Sequence, residues 1–240
     1  SFRAEKSRTR RHLHEYWHFE IEAAWYSLED LMKAVENSLK YAIEKTIEER
    51  KEDFELLRTK TGRNVEELKA MIEKPWKVIT YKEAIDILKK NGLNVEYGID
   101  FGADEERALT LQFDTPIFII EYPRKLKAFY MFDKDENVVK NFDLLAPEGY
   151  GEIVGGSERE WRFDVIERKI KERNLDELKV KIGDVEISAY EWYLDLRRFG
   201  SVPHSGMGLG IERLLVWICK LEHIRDTLPF PRLREGWLYP

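Results

Sequence analysis

Gly206-Met207-Gly208-Leu209-Gly210-Ile211-Glu212-Arg213 opens an apolar run, residues 214–219, near the end of this 240-residue chain. Glycine at alternate positions lets a backbone approach a ligand closely. Arg213 falls in the first turn of the helix that the apolar run predicts, where a helix already favours anions. An ordinary tight turn is the competing reading of Gly208 and Gly210. The other end of the chain carries matching chemistry: Phe2-Arg3-Ala4-Glu5, a basic loop over 6–11 that ends in Arg11, then His12-Leu13-His14-Glu15-Tyr16. Arginine's planar fork suits phosphate oxygens, and Tyr16 offers a face to a base. Together the two ends read as an ATP site assembled from opposite termini.

Composition bounds the rest. A hydrophobic content of 43% over 240 residues supports one large domain with its own core. Seven Trp, eleven Tyr and twelve Phe argue against disorder, although 36% of residues are charged. A net charge of −6 excludes nucleic-acid binding through overall charge, leaving the basic loop at 6–11 as the place for a local contact. The single cysteine, Cys219, allows no disulfide within the chain and reads as a buried hydrophobe. No apolar stretch reaches the ~18 residues of a membrane span and no signal peptide is visible, so no membrane partner and a cytoplasmic setting are expected. Because a motif starts directly at Ser1, the chain reads as a piece of a longer protein.

Residues 2–6 and 16–25 predict two strands joined by the basic loop, and in 16–25 large side chains alternate with polar ones. Ser27 with Asp30 predicts a helix start, and apolar spacing carries that helix to about residue 54. The stretch at about 51–75 is polar, partly helical, and reads as a peripheral insertion within a single domain covering 1–240. Thr80 with Glu83 predicts a short helix ended by Asn91-Gly92. Strands are predicted over 116–123, 127–132, 138–145 and 150–154, and helix over 161–192. The passage 203–210 reads as an approach to a helix over 211–221. Strands at both ends with helices between give an α+β layout, an antiparallel sheet flanked by helices.

Arg3 and Glu5, two apart on a strand, share a face: a cation for an α-phosphate beside an acceptor for an adenine amino group. A surface ion pair, worth about 0–1 kcal/mol, is the alternative. His12 is placed to reach a terminal phosphate. A third cluster follows Asp143, which with Glu152 supplies two carboxylates separated by a Pro/Gly turn, a donor set for Mg²⁺ beside phosphates. Gly155-Gly156 would clear room for a ligand, and Arg159 would present a fork to a small polar group. A solvated hairpin is the competing reading.

These residues match a family. FRAEKSRTRRHLHEYWHFEIE (2–22) resembles motif 2 of class II aminoacyl-tRNA synthetases, and GMGLGIERLLVWI (206–218) resembles motif 3. Within the aspartyl/asparaginyl/lysyl subgroup, LLAPEGYGEIVGGSERE (144–160) is similar to the asparaginyl branch. The resemblance implies a six- or seven-stranded antiparallel class II sheet. It implies Arg3 on the α-phosphate, Glu5 on the adenine amino group, and His12 near the γ-phosphate. Tyr16 would stack on adenine, and Arg213 would hold the γ-phosphate, with Arg3 and Arg213 as the catalytic cations. Arg11, Glu152 and Gly210 join the ATP site; Asp143 and Glu152 bind Mg²⁺. Arg159, Glu20, Gly155 and Gly208 form the amino-acid pocket, Arg159 donating to the carboxamide carbonyl of asparagine and Glu20 accepting from its NH₂.

The activity so implied is an ATP-dependent asparagine–tRNA ligase. Asparagine is activated to asparaginyl-adenylate and passed to the 3′ end of tRNA(Asn), with a homodimer in the intact protein. An aspartyl enzyme, an asparagine synthetase-like ligase acting through aspartyl-adenylate, and a non-catalytic paralogue are the alternatives. Motif 1 and an anticodon-binding barrel, which precede motif 2 in relatives, are not part of this sequence.

Overall fold

Ser27 accepts from the Asp30 amide at 3.1 Å while Asp30 accepts from the Ser27 amide, a closed capping box that starts the longest helix. The computed structural model describes residues 1–4 and 9–233. In chain order the elements begin with β1 (His18–Ala24), α1 (Leu28–Glu49), α2 (Lys51–Thr61), α3 (Val65–Glu73) and β2 (Lys77–Thr80). They continue with α4 (Tyr81–Lys90), α5 (Ala103–Thr110), β3 (Ile117–Ile120), β4 (Asn141–Ala146), β5 (Gly151–Glu158) and α6 (Phe163–Glu172). The last five are β6 (Lys179–Ile182), β7 (Val185–Ser188), α7 (Glu191–Arg198), β8 (His204–Gly210) and α8 (Ile211–Ile218).

Six strands form one sheet in the order β1-β8-β5-β4-β3-β2, with β2 parallel to β3 and every other pair antiparallel. This is the α+β fold class expected from the sequence. Its two faces are covered unequally. Leu31, Val35, Leu39 and Ile43 of α1 recur every four residues and pack with Met207, Leu209, Val154, Phe142 and Leu144 on one face. Each fully buried side chain of this kind contributes about 1.5–3 kcal/mol. On the other face, α4 cover only the β2-β3-β4 half, where Tyr81, Ile85 and Leu88 meet Ile117, Ile119 and Leu145. The β1-β8-β5 half of that face stays open and becomes the cleft.

The passage 203–210, expected to be an approach loop, is instead the strand β8, hydrogen-bonded between β1 and β5. Its glycines weaken strand propensity, yet Met207 and Leu209 alternate with them and enter the core. Of the strand predicted over 2–6, Phe2 makes one bridge to Glu15, and residues 5 and 6 lie outside the described residues. Residues 127–132 form a bend, a turn and one antiparallel bridge, Met131 to Arg159, rather than a strand; Phe129 packs with Ile166, Ile170 and Leu194 in a third core. Within 161–192 the hairpin β6-β7 interrupts the expected helix, turning on Gly183 at φ 61°. The first helix stops at Glu49 rather than 54. The 51–75 segment, expected at the periphery, forms α2 and α3, and Phe54, Leu68 and Ile72 enter the main core. Cys219 is half-buried against that core, and burial pushes its thiol up.

Candidate active site

The sheet register lays out the cleft floor. Glu20 pairs with Gly208, Gly208 with Gly155, and Gly155 with Asp143, so one row crosses four strands with two carboxylates flanking two glycines. The next row runs Glu22, Gly206, Ser157, Asn141. A Cβ on Gly208 would lie 2.3 Å from His18 Nε2, and one on Gly206 would lie 2.0 Å from Glu22 Oε1. The glycines therefore make room for the β1 side chains to lie across β8. Between Leu144 and Leu145 the register slips by one residue, which puts Glu152 opposite Leu145 and on the same face as Asp143. Gly155 completes the arrangement: a Cβ there would be 3.3 Å from Glu152 Oε1 and 3.9 Å from Asp143 Oδ1.

Above this floor lies a cleft of about 480 Å³. Arg3, Arg11, His12, Tyr16, Glu20, Asp143, Glu152, Gly155, Arg159, Gly208, Gly210 and Arg213 all line it. Every sequence-predicted site residue within the described part of the chain is thus brought to one place. Glu5, predicted for adenine, lies outside the described residues, as do Lys6, Ser7 and Arg8 of the basic loop.

One half of the cleft is built on Glu152. Arg213 Nη1 donates to its Oε2 at 3.0 Å and to its carbonyl at 3.2 Å, and Arg11 Nη2 reaches the same carbonyl at 3.1 Å. Glu106, on α5, fixes Arg11 at 2.6 Å and accepts from the Glu152 amide at 2.7 Å. His12 Nε2 stands 3.5 Å from Arg213 Nη2, and Thr9 holds the other ring nitrogen. Arg3 rests over the Tyr16 ring at 5.7 Å. Lys127 Nζ, 3.8 Å from the Tyr122 ring centre, donates to Asp143 at 2.6 Å. Burial pushes the Asp143 carboxyl up to about 6, Lys127 pulling the other way and Glu152 adding to the rise. Burial acts on Glu152 as well, but Arg213, Lys127 and Arg11 outweigh it and hold that carboxyl below its usual range. Of the pair, Glu152 stays ionised more readily. Glu212, beside Arg213, also lines the cleft and accepts from the Trp17 amide at 2.9 Å, which ties the start of α8 to the residue before β1.

The other half is built on Arg159. Its Nη2 donates to Glu22 Oε1 at 2.7 Å, its Nη1 to Ser157 Oγ at 2.7 Å, and its guanidinium lies 5.2 Å from the Tyr130 ring. Glu20, the acid expected opposite Arg159, is instead held by His18 Nδ1 at 2.7 Å, with 65% of its side chain exposed. The acid that meets Arg159 is Glu22. Sequence reasoning missed it although period-2 alternation puts Glu22 and Glu20 on one face. His18 carried the same signal. Lys127 and Glu106 carried none, because each reaches the cleft only through tertiary packing.

Among the described residues no group of three or more His, Cys, Asp or Glu side chains could hold a metal by protein ligands alone. Asp143 and Glu152 are two carboxylates converging over Gly155, the donor set suited to a hard cation that takes its remaining ligands from phosphate and water.

The family of class II tRNA synthetases (D, K and N) matches residues 1–234, and the chain belongs to it. Asparagine--tRNA ligase of Pyrococcus horikoshii is 52% identical over 242 aligned residues, covering 100% of this chain and 52% of that protein. Asparagine--tRNA ligase of Thermoplasma acidophilum is 49% identical, covering 97% of this chain and 51% of its own length. The solved structure of asparaginyl-tRNA synthetase from Pyrococcus horikoshii complexed with asparaginyl-adenylate superimposes with a TM-score of 0.87, over 100% of this chain and 52% of that one. Aspartyl tRNA synthetase from Entamoeba histolytica, 24% identical, shares the fold with a TM-score of 0.80. The chain spans about half the length of the curated relatives it matches.

Proposed function

We propose that this chain carries the adenylate-forming site of an asparagine–tRNA ligase. The observation that carries the reading is Arg159 over a glycine floor, with the Glu20 and Glu22 carboxylates on the opposite strand. A carboxamide offers one acceptor and one NH₂ donor, so a guanidinium facing carboxylates complements asparagine. An aspartate side chain would set a third carboxylate against Glu20 and Glu22, and that repulsion disfavours it.

The other half of the cleft takes ATP. Tyr16 offers its ring to adenine, Arg3 its charge to the α-phosphate, and Arg213 with His12 the terminal phosphate. Asp143 and Glu152 would hold Mg²⁺, which when bound neutralises phosphate charge. The asparagine carboxylate oxygen then bonds to the α-phosphorus while the bond to the bridging oxygen breaks, and pyrophosphate leaves with that electron pair. No protein nucleophile is used; positioning and charge neutralisation by Arg3 and Arg213 supply the acceleration. Attack by the terminal adenosine hydroxyl of tRNA(Asn) on the acyl carbon would release AMP, with the basic loop at 6–11 near the acceptor end. A homodimer for the intact protein and a cytoplasmic setting belong to the same reading; no described helix is long and apolar enough to cross a membrane.

Amino-acid-dependent ATP–pyrophosphate exchange tests this, run with asparagine, aspartate or neither, on this chain and on its parent polypeptide. Exchange with asparagine alone supports the reading. Exchange with aspartate alone moves the assignment to an aspartyl-adenylate ligase, and silence from both polypeptides moves it to a non-catalytic paralogue.

A further inference from the structure

Arg63 is a charged side chain with no exposure at all, in a segment that the proposed chemistry does not use. The loop that carries it is three residues long and held at both ends. Gly62 ends α2 in the left-handed region at φ 73°, and Asn64 caps α3 by accepting from the Glu66 amide at 2.9 Å. Between them Arg63 points inward. Its Nη2 donates to the Trp217 carbonyl at 2.6 Å and to Glu148 Oε2 at 2.8 Å. Thr61, from the same segment, donates to the Cys219 carbonyl at 2.8 Å.

Both targets are ends of elements that present the triphosphate groups. Trp217 and Cys219 lie at the C-terminal end of α8, whose first turn carries Arg213. Glu148 sits at φ 62° in the turn between β4, which carries Asp143, and β5, which carries Glu152. Arg213 and Glu152 meet at 3.0 Å, so the helix and the hairpin touch on the cleft side. Arg63 joins the same two elements on the far side. A guanidinium there satisfies carbonyls that a helix C-terminus leaves open and complements the negative end of its dipole.

The arrangement is costly if stability is its only purpose. Arg63 Nε and Nη1 and Trp217 Nε1 are buried without hydrogen-bond partners among the described residues. Each such group costs about 1–3 kcal/mol. Buried ion pairs are weak stabilisers compared with well-packed apolar groups, and their best-attested use is to fix one arrangement among several.

We propose that Arg63 is a positioning residue for the triphosphate half of the cleft, holding α8 and the β4–β5 turn in the alignment that lets Arg213 and Glu152 act on one ligand. This gives the 51–75 segment a role in nucleotide binding without contact to nucleotide. It rests on the reading of that half as an ATP site.

Calorimetric binding of Mg–ATP and of AMP to the whole chain tests it, comparing the unaltered protein with Arg63→Met and Glu148→Gln. Glu148→Gln removes the partly exposed partner and keeps the experiment open should Arg63→Met fail to fold. The expected result is an ATP affinity lower by about tenfold, with AMP affinity within about twofold, since AMP lacks the phosphates that Arg213 would hold. ATP affinity unchanged in both variants, with only a lower melting temperature, overturns the proposal. Equal losses for ATP and AMP overturn it too, because a general loosening of the fold predicts them. If the unaltered chain binds no ATP, the nucleotide reading itself falls and this inference with it.

Discussion

Arg159 Nη2 and Glu22 Oε1 stand 2.7 Å apart across the glycine strand β8, joining the residue that follows β5 to the edge strand β1. Gly206 lies between them in the register, opposite Glu22 on one side and Ser157 on the other. The pair fixes the direction of the guanidinium, since Ser157 takes Nη1 and Tyr130 underlies the plane. In the proposed reading, amino-acid selection depends on three strands holding a common register.

Arg159→Ala is expected to abolish amino-acid-dependent pyrophosphate exchange while ATP affinity stays within about twofold. Glu22→Gln keeps one acceptor oxygen but removes the charge that assists the hydrogen bonds from Arg159 Nε and Nη2, and is expected to raise KM for asparagine about tenfold. Steady-state exchange against each substrate checks both. An equal loss of ATP binding would show that Arg159 serves the nucleotide half instead.

Glu20, exposed and paired with His18, is in the proposed reading the acid that turns toward a bound carboxamide. Glu20→Asp withdraws it by one methylene. We expect the ratio of kcat/KM for asparagine over aspartate to fall by about tenfold. An unchanged ratio would remove Glu20 from selection.

Two glycine substitutions separate site from core. In Gly206→Ala the new methyl would sit 2.0 Å from Glu22 Oε1, the end of a movable side chain. Stability should change by under about 1 kcal/mol while KM for asparagine rises, because Glu22 is pushed from Arg159. In Gly156→Ala the methyl would meet Phe142 Cζ at 2.4 Å inside the main core. That overpacking should cost about 1–3 kcal/mol in denaturant unfolding.

Alkaline stability should depend on Tyr150. Burial pushes its phenol from 10.0 up to about 12. Below pH 10 the group is protonated in both folded and unfolded chains; between 10 and 12 the unfolded chain releases the proton first, so stability falls as pH rises. Because the ring is partly solvated, the loss should not exceed about 1–2 kcal/mol. Tyr150→Phe should flatten the unfolding free energy against pH over this window, and equal slopes in both proteins would count against it.

What could be read from residues alone is local. The Ser27/Asp30 and Thr80/Glu83 boxes mark helix starts because the donors and acceptors lie within three residues. Arg3, Asp143, Glu152, Arg159 and Arg213 show their chemistry by residue type and spacing, Arg11 and Glu20 join the expected site only through the family resemblance, and Glu22, His18 and Lys127 of the cleft lining escape both. The β6-β7 hairpin was missed: helical periodicity upstream carried the expected helix across Gly183-Asp184, although valines and isoleucines alternate on either side of that turn.

Tertiary structure alone decided the pairings. Nothing in residues 204–210 favours a strand, since glycine opposes one; β8 exists because β1 and β5 saturate its backbone on both sides while Met207 and Leu209 fill the core. Glu22 rather than Glu20 meets Arg159 because ladder register sets which carboxylate lies opposite Ser157. Glu152 joins Asp143 only through a one-residue bulge, and Arg63 reaches two elements distant in sequence from a segment that looked peripheral. Caps and motifs are short-range interactions carried by adjacent residues; register, bulges and buried struts are settled by the whole fold's requirement to pair its backbone and fill its core.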